Sequence, residues 1–229
     1  MYFTLPKTHL NDIDRPKINY ITTITTMTNN LDSSITVDFL DKLKNQTATA
    51  HRQLESLPVS ASILSPQMKI ADYCHYLSLM YDVHHSTQEI VFPLLKDHIP
   101  DLAEREKTQL LTDDLSFLHY TKNNTVSVFD NIDINVPFAL GILYVIEGST
   151  LGGRFILKNI ETIPGLDQQQ GVSYFTGYGN KTGSYWKTFL NQLTAYEQKN
   201  NNQDEIIKGA VYAFDSIYNH FLNTTRNEN

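Results

Sequence analysis

Two groups of residues in this sequence have the types and spacing for chemistry. His51 and Glu55 lie four residues apart within Leu43-Lys44-Asn45-Gln46-Thr47-Ala48-Thr49-Ala50-His51-Arg52-Gln53-Leu54-Glu55. On a helix that spacing puts them on one face, within reach of each other. A neutral imidazole is the commonest protein ligand for iron or zinc. A carboxylate one turn on can accept a hydrogen bond from the other ring nitrogen and orient the ring. The chain has no HExxH, no CxxC and no Glu-x-x-His pair, so a cage of zinc or two irons built from protein alone is poorly supported. A lone histidine suffices where a porphyrin supplies the other ligands. Taken by itself, a surface His–Glu pair, worth little in stability, is the simpler account of these two residues.

The second group is the stretch Leu140-Gly141-Ile142-Leu143-Tyr144-Val145-Ile146-Glu147-Gly148-Ser149-Thr150-Leu151-Gly152-Gly153-Arg154-Phe155-Ile156-Leu157. It reads as a long apolar helix interrupted by glycines, each costing about 1 kcal/mol relative to alanine. Gly141, Gly148 and Gly152 recur at seven and four, which places them on one face. Without a Cβ, something can lie directly on that backbone. Close packing of another helix is the simpler occupant, and a ligand is the other.

The elements that must position these residues are helices. The first runs from about Thr36 to Ser56, capped by Ser34 or Thr36 and ended by Pro58. Its Leu40, Leu43, Thr47, Ala50 and Leu54 step along one face, with Lys44, Ala48, His51 and Glu55 beside it. Ser65-Pro66 opens a second helix that carries Tyr73, Leu77 and Met80 towards Leu95 and bends near Pro93. A third spans about Pro100 to His119. A polar loop leads into the glycine helix, about Pro137 to Ile160. After a loop that ends near Gly183, Thr182 caps a helix carrying Trp186 and Phe189, and a last helix runs from about Gln203 to Asn223. Four further histidines, His75, His84, His85 and His119, read as ordinary core or surface residues, and the tyrosines as amphipathic core and rim. With no internal repeat and no convincing strand pair, the fold class is all-α, with one domain at residues 36–225. Residues 1–35 read as a flexible N-terminal tail. Met27 within it offers an alternative translation start.

Composition narrows the function. The chain has 229 residues and a net charge of -7 without a basic cluster, which argues against nucleic acid and anionic membrane as partners. Cys74 is the only cysteine, which fits a reducing compartment and the expectation of a cytoplasmic protein. No apolar run reads as long enough to span a bilayer, and no secretory signal is recognisable.

The His51 segment and the Tyr144–Gly153 segment together resemble the biliverdin-producing heme oxygenases, especially the bacterial branch. Tyr174-Phe175-Thr176-Gly177-Tyr178-Gly179 and Thr182-Gly183-Ser184-Tyr185-Trp186 strengthen the likeness, which covers about residues 36 to 223. The resemblance implies a single all-α domain with heme between a proximal and a distal helix. It makes His51 the iron ligand. Gly148, Ser149, Gly152 and Gly153 become the distal catalytic wall. Lys44 and, more weakly, Lys187 become partners for heme propionates. Phe175, Phe214 and Phe221 fall where the family lines its pocket, although plain core explains each equally well. Heme would be both cofactor and substrate, cleaved with O2 to biliverdin, carbon monoxide and ferrous iron. Because no nucleotide-binding glycine loop follows a strand, a ferredoxin or flavoprotein reductase would supply the electrons. A heme-binding or carrier protein of the same fold, without turnover, would have nearly the same sequence.

Overall fold

The structure, a computed structural model, describes residues 34–130, 133–163, 166 and 170–226. Apart from its last two residues, the expected tail lies outside them, as does Met27. The described residues hold no extended strand. In chain order the helices are α1 (Ser34–Ser56), α2 (Pro58–Ser62), α3 (Ile70–Ser86), α4 (Phe92–Leu95), α5 (Thr108–Phe117), α6 (Val136–Ile160), α7 (Ser173–Thr176), α8 (Thr182–Asn200) and α9 (Gln203–Arg226).

The glycine helix α6 is the centre of the fold. Asn135 caps it, its Oδ1 accepting from the Phe138 N–H at 3.0 Å, and Pro137 sits in the first turn where its missing N–H is not needed. Ala139, Leu140, Ile142 and Leu143 are completely buried. The 18 residues Val136–Gly153 do reach the length and mean hydropathy of a membrane span, at 1.3, contrary to the reading of the bare sequence; 67% of that window is buried inside the fold. Its apolar surface is used in the core.

Helix α6 packs chiefly on α9, and α9 also packs on α1. The α6–α9 contact is a crossing of two glycines. A Cβ built on Gly141 would stand 2.0 Å from the Ile206 carbonyl oxygen, and one on Gly209 would stand 2.0 Å from that of Phe138. No side chain fits between the two backbones there. Gly141 therefore serves packing, and only Gly148 and Gly152 of the three spaced glycines line a cavity.

Three boundaries differ from the sequence reading. Pro58 does not merely end α1; it starts α2 from the first helical position. Helix α3 begins at Ile70 rather than near Ser65, because the Asp72 carboxylate accepts from the Lys69 N–H at 2.9 Å and closes the first turn there. The third expected helix is broken in two. A 3-10 turn at Leu102–Arg105 precedes α5, whose start is satisfied from outside by Gln88 Oε1, accepting from the Thr108 N–H at 3.0 Å. That break leaves Arg105 and Lys107 buried, at 1% and 3% exposure. The bend expected near Pro93 takes the form of a π-turn at Thr87–Val91, where the ladder shifts register before a residue that has no N–H to give. Thr182 opens α8 but does not cap it, since its hydroxyl donates backward to the Gly179 carbonyl at 2.9 Å.

Candidate functional site

Helices α1 and α6 both lean on α9, and between them lies a cavity of about 180 Å³. From α1 it takes Lys44, Thr47, Ala48, His51, Leu54 and Glu55, a single face repeating at three and four. From α6 it takes Tyr144, Gly148, Ser149, Gly152 and Phe155, among others. Phe214, Ile217 and Phe221 of α9 close one side, Tyr76 and Met80 of α3 another, and Trp186 of α8 a third. The walls are mostly apolar, with the imidazole, a hydroxyl and a lysine set into them.

His51 is half-buried. Its Nδ1 lies 3.5 Å from Glu55 Oε2, yet it is buried and makes no hydrogen bond. Its ring stands edge-on to Phe214 at 5.4 Å between centroids. Burial, and secondarily the neighbouring Arg52, hold the imidazole below its usual pKa, so it is neutral at physiological pH. Burial also raises the Glu55 carboxyl. With Nδ1 turned to the carboxylate, Nε2 is left as the donor atom for a metal. A neutral imidazole in an apolar slot, opposed by helix backbone without side chains, fits a flat iron porphyrin.

On α6, a Cβ at Gly148 would meet only the Trp186 ring, at 3.7 and 3.8 Å, an ordinary contact. The rest of its space is cavity. Ser149 is exposed to that space and its hydroxyl donates to the Ile146 carbonyl at 2.7 Å. The other site residues proposed from sequence fall elsewhere. Gly153 and Phe175 line a second, smaller chamber behind α6, where a Cβ at Gly153 would come within 3.3 Å of the Phe175 carbonyl oxygen. Lys187 is exposed and lies outside the cavity lining, next to Trp186, which is inside it.

Sequence reasoning missed the polar cluster that anchors α6 immediately before Gly148. Glu147 is 2% exposed. It pairs with the Arg105 guanidinium and accepts from the Tyr178 hydroxyl at 2.9 Å. Arg105 also donates to Asp101 at 2.7 Å. Tyr178 stacks flat on Tyr185 at 4.1 Å, and the Lys107 ammonium lies 3.5 Å from the centroid of the Tyr178 ring. Burial pushes the Glu147 carboxyl upward, against the pull of Arg105, Tyr178 and Lys107. A second cluster fixes the strip that follows. Both Asp114 oxygens accept from backbone at 2.8 Å, one from Ser173 and one from Tyr174, and the Tyr174 hydroxyl meets His84 Nε2 at 3.1 Å. His84 was read as ordinary, yet burial pushes its pKa down to about 3. The legible signal for Glu147 was a carboxylate in the middle of an apolar helix, which must find a partner. Nothing local in the sequence named Arg105 as that partner.

Removing Glu147 leaves a buried cation short of a charge. Glu147→Ala is expected to lower stability by about 3–5 kcal/mol, the cost of breaking a buried ion pair from one side. Glu147→Gln, which keeps the acceptor, should lose less. Denaturant unfolding of the three proteins checks this.

The fold and the site define an all-helical protein with a single-histidine cavity against a bare helix. The family model for heme oxygenase matches residues 37–223, and the chain belongs to that family. It is 26% identical over 178 residues to heme oxygenase PigA of Pseudomonas aeruginosa, covering 76% of this chain and 86% of that protein. Among solved structures it is similar to the NO- and CO-bound heme oxygenase of Neisseria meningitidis, with a TM-score of 0.67, 25% identity, and 81% of this chain and 91% of that one covered. The fold is shared with the heme oxygenase of Leptospira interrogans, with a TM-score of 0.65 at 16% identity, covering 81% of this chain and 98% of that one. It is also shared with heme oxygenase-1 of the cyanobacterium Synechocystis, solved in complex with heme, with a TM-score of 0.61 at 16% identity, covering 82% and 93%.

Proposed function

We propose that this protein binds heme between α1 and α6 and cleaves it oxidatively to biliverdin, carbon monoxide and ferrous iron. The observation that carries the reading is one cavity lined by a neutral His51, backed by Glu55, and by the bare backbone of Gly148 and Gly152. When bound, heme supplies the iron that activates O2 and the porphyrin that is consumed. His51 would hold the iron, and Glu55, 3.5 Å from its Nδ1, would orient the ring. The apolar walls from α9 and α3 exclude water from the porphyrin faces. Lys44, half-buried at the cavity, is the partner for a propionate, fixing the orientation of the ring more than adding affinity. Gly148 and Gly152 leave room for O2, and Ser149 offers a hydroxyl beside it. Electrons come from a separate ferredoxin or flavoprotein reductase, and the protein works in the cytoplasm.

Adding hemin to the purified protein is expected to give a stoichiometric complex with the absorption of a histidine-ligated heme. Supplying reductant and O2 should then convert it to biliverdin, with release of carbon monoxide. A stable complex that survives reductant and O2 unchanged would instead make the protein a heme carrier.

A further inference from the structure

The two walls of the main cavity, α1 and α6, each pack on α9, which closes the slot along one side. Past Glu55, near the end of α1, the lining continues through Ser60 of α2 and through Ile63 and Leu64 of the turn after it. From the other wall come Phe155 and Ile156 of α6. Leu64 is 41% exposed and Phe155 36%. Of the large hydrophobic residues left exposed among the described residues, these two line the cavity and the others do not. They are the lips of the slot, one from each wall.

One side chain joins the two lips. Asn159 stands one helical turn beyond Phe155 on α6 and outside the cavity lining. Its Nδ2 donates to the Ile63 carbonyl at 3.2 Å and to the Ser65 carbonyl at 2.7 Å, the carbonyls on either side of Leu64. An amide NH2 has two hydrogens, so both are spent on this turn. The backbone bonds of the turn itself run back to α2. The Leu64 N–H donates to the Ala61 carbonyl at 3.2 Å and the Ser65 N–H to the Ser62 carbonyl at 3.0 Å. The turn therefore belongs to the α1 wall, and Asn159 ties that wall to α6. The chemistry of this end is apolar apart from Ser60 and Glu55, and its described lining holds no cation. Lys44 lies about 10 Å back along α1 from His51, towards the other end. The lips thus suit an edge of a porphyrin that carries methyl and vinyl groups, not the edge that carries carboxylates.

We propose that Leu64 and Phe155 form a gate over the apolar edge of the bound ring, and that Asn159 is the clasp that holds the gate shut. The role rests on the heme-binding reading of the same cavity. A flat ring held between two helices enters or leaves when they part. Along α9 the walls are fixed by packing, and at the Gly141 crossing by backbone against backbone. At Asn159 they are joined by hydrogen bonds from a half-buried amide, which water can replace at small net cost. Releasing them frees the turn together with α2, and the slot widens about its hinge on α9. Asn159 is a positioning residue, since it acts through the lips and not on the ring.

The test measures hemin uptake by the full chain in stopped flow, and hemin release to an excess of a heme-scavenging apoglobin. Asn159→Asp keeps the size of the side chain and loses both donors. Uptake and release are expected to rise together by about tenfold, the scale of two ordinary hydrogen bonds, so that Kd hardly changes. A lost contact with the ring, or a generally loosened pocket, raises release without uptake and weakens Kd. That result, or wild-type rates in Asn159→Asp, overturns the clasp. The gate is tested separately with Leu64→Cys and Phe155→Cys in one chain, both at exposed positions, where the native Cys74 is buried. A bis-maleimide with a light-cleavable spacer joins the two lips. Joined before hemin is added, they should cut uptake to a small fraction of the wild-type rate; joined after loading, they should hold hemin in place. Light should restore both rates, and each single-cysteine chain treated alike should exchange hemin as the wild type does. Wild-type exchange with the lips joined overturns the gate while leaving the heme-binding reading in place. A wild type that takes up no hemin defeats that reading first, and the gate with it.

Discussion

Replacing His51 with alanine is expected to abolish biliverdin formation while the helical fold stays intact. The side chain is only half-buried and its Nδ1 makes no hydrogen bond, standing 3.5 Å from Glu55, so little stability depends on it. What is lost is the single imidazole that lines the cavity. The apolar walls and Lys44 remain, so hemin should still enter, but with a changed absorption spectrum. Losing an outer partner of a metal-bound histidine typically costs about 10–100-fold in affinity or activity, and losing the ligand itself should cost more. Glu55→Gln sits at the mild end of that range, because an amide oxygen still accepts from Nδ1–H. Added imidazole should restore part of the wild-type spectrum by filling the space left in His51→Ala. Spectra and single-turnover biliverdin yield, measured on the three proteins, check the order. A wild-type spectrum and yield in His51→Ala would remove His51 from the site.

The glycines of α6 should respond to alanine with opposite signs. At Gly141 the new Cβ would lie 2.0 Å from the Ile206 carbonyl oxygen and 2.7 Å from the Ala210 nitrogen. Both are backbone atoms of α9, and neither can turn aside. The two helices must separate, and since they form the main packing of the core, the loss should exceed the usual overpacking cost of about 1–3 kcal/mol. It also outweighs the gain of about 1 kcal/mol that alanine brings to a helix. For a domain of this size, each kcal/mol moves Tm by about 2–4 °C. At Gly148 the nearest atoms are on the Trp186 ring at 3.7 Å, so the helix-propensity gain is uncompensated. Gly148→Ala should raise the Tm of the heme-free protein slightly, and Gly148→Leu should weaken heme binding by projecting into the cavity. Thermal unfolding without heme, followed by hemin titration, separates the two roles. A stable Gly141→Ala protein would show that the α6–α9 crossing is looser than drawn.

The sequence by itself determined the helical class, the face of α1 that carries Lys44, His51 and Glu55, and the phase of Gly148 and Gly152 on α6. These are local properties. A repeat of three and four fixes which residues share a helix face, whatever the helix packs on. The short blocks around His51 and Gly148 also carried the family, because the residues that bind a flat ligand lie on two continuous helices. Sequence spacing put Gly141 on the same face as Gly148, and that much is geometry. Only the tertiary structure decided that α9 occupies the face at Gly141 and a cavity occupies it at Gly148, since the choice depends on a helix about 65 residues further on. The same holds for Arg105, Lys107, Tyr174, Tyr178 and His84. None of them shows its partner within its own segment, and Arg105 and Lys107 were assigned to a continuous helix that in fact breaks beside them. Their meeting with Glu147 and Ser149 comes from chain folding over tens of residues, where ion pairs and hydrogen bonds leave no periodic trace. The proximal half of the site is written along one helix, and the support behind the distal half exists only once α6 has been packed.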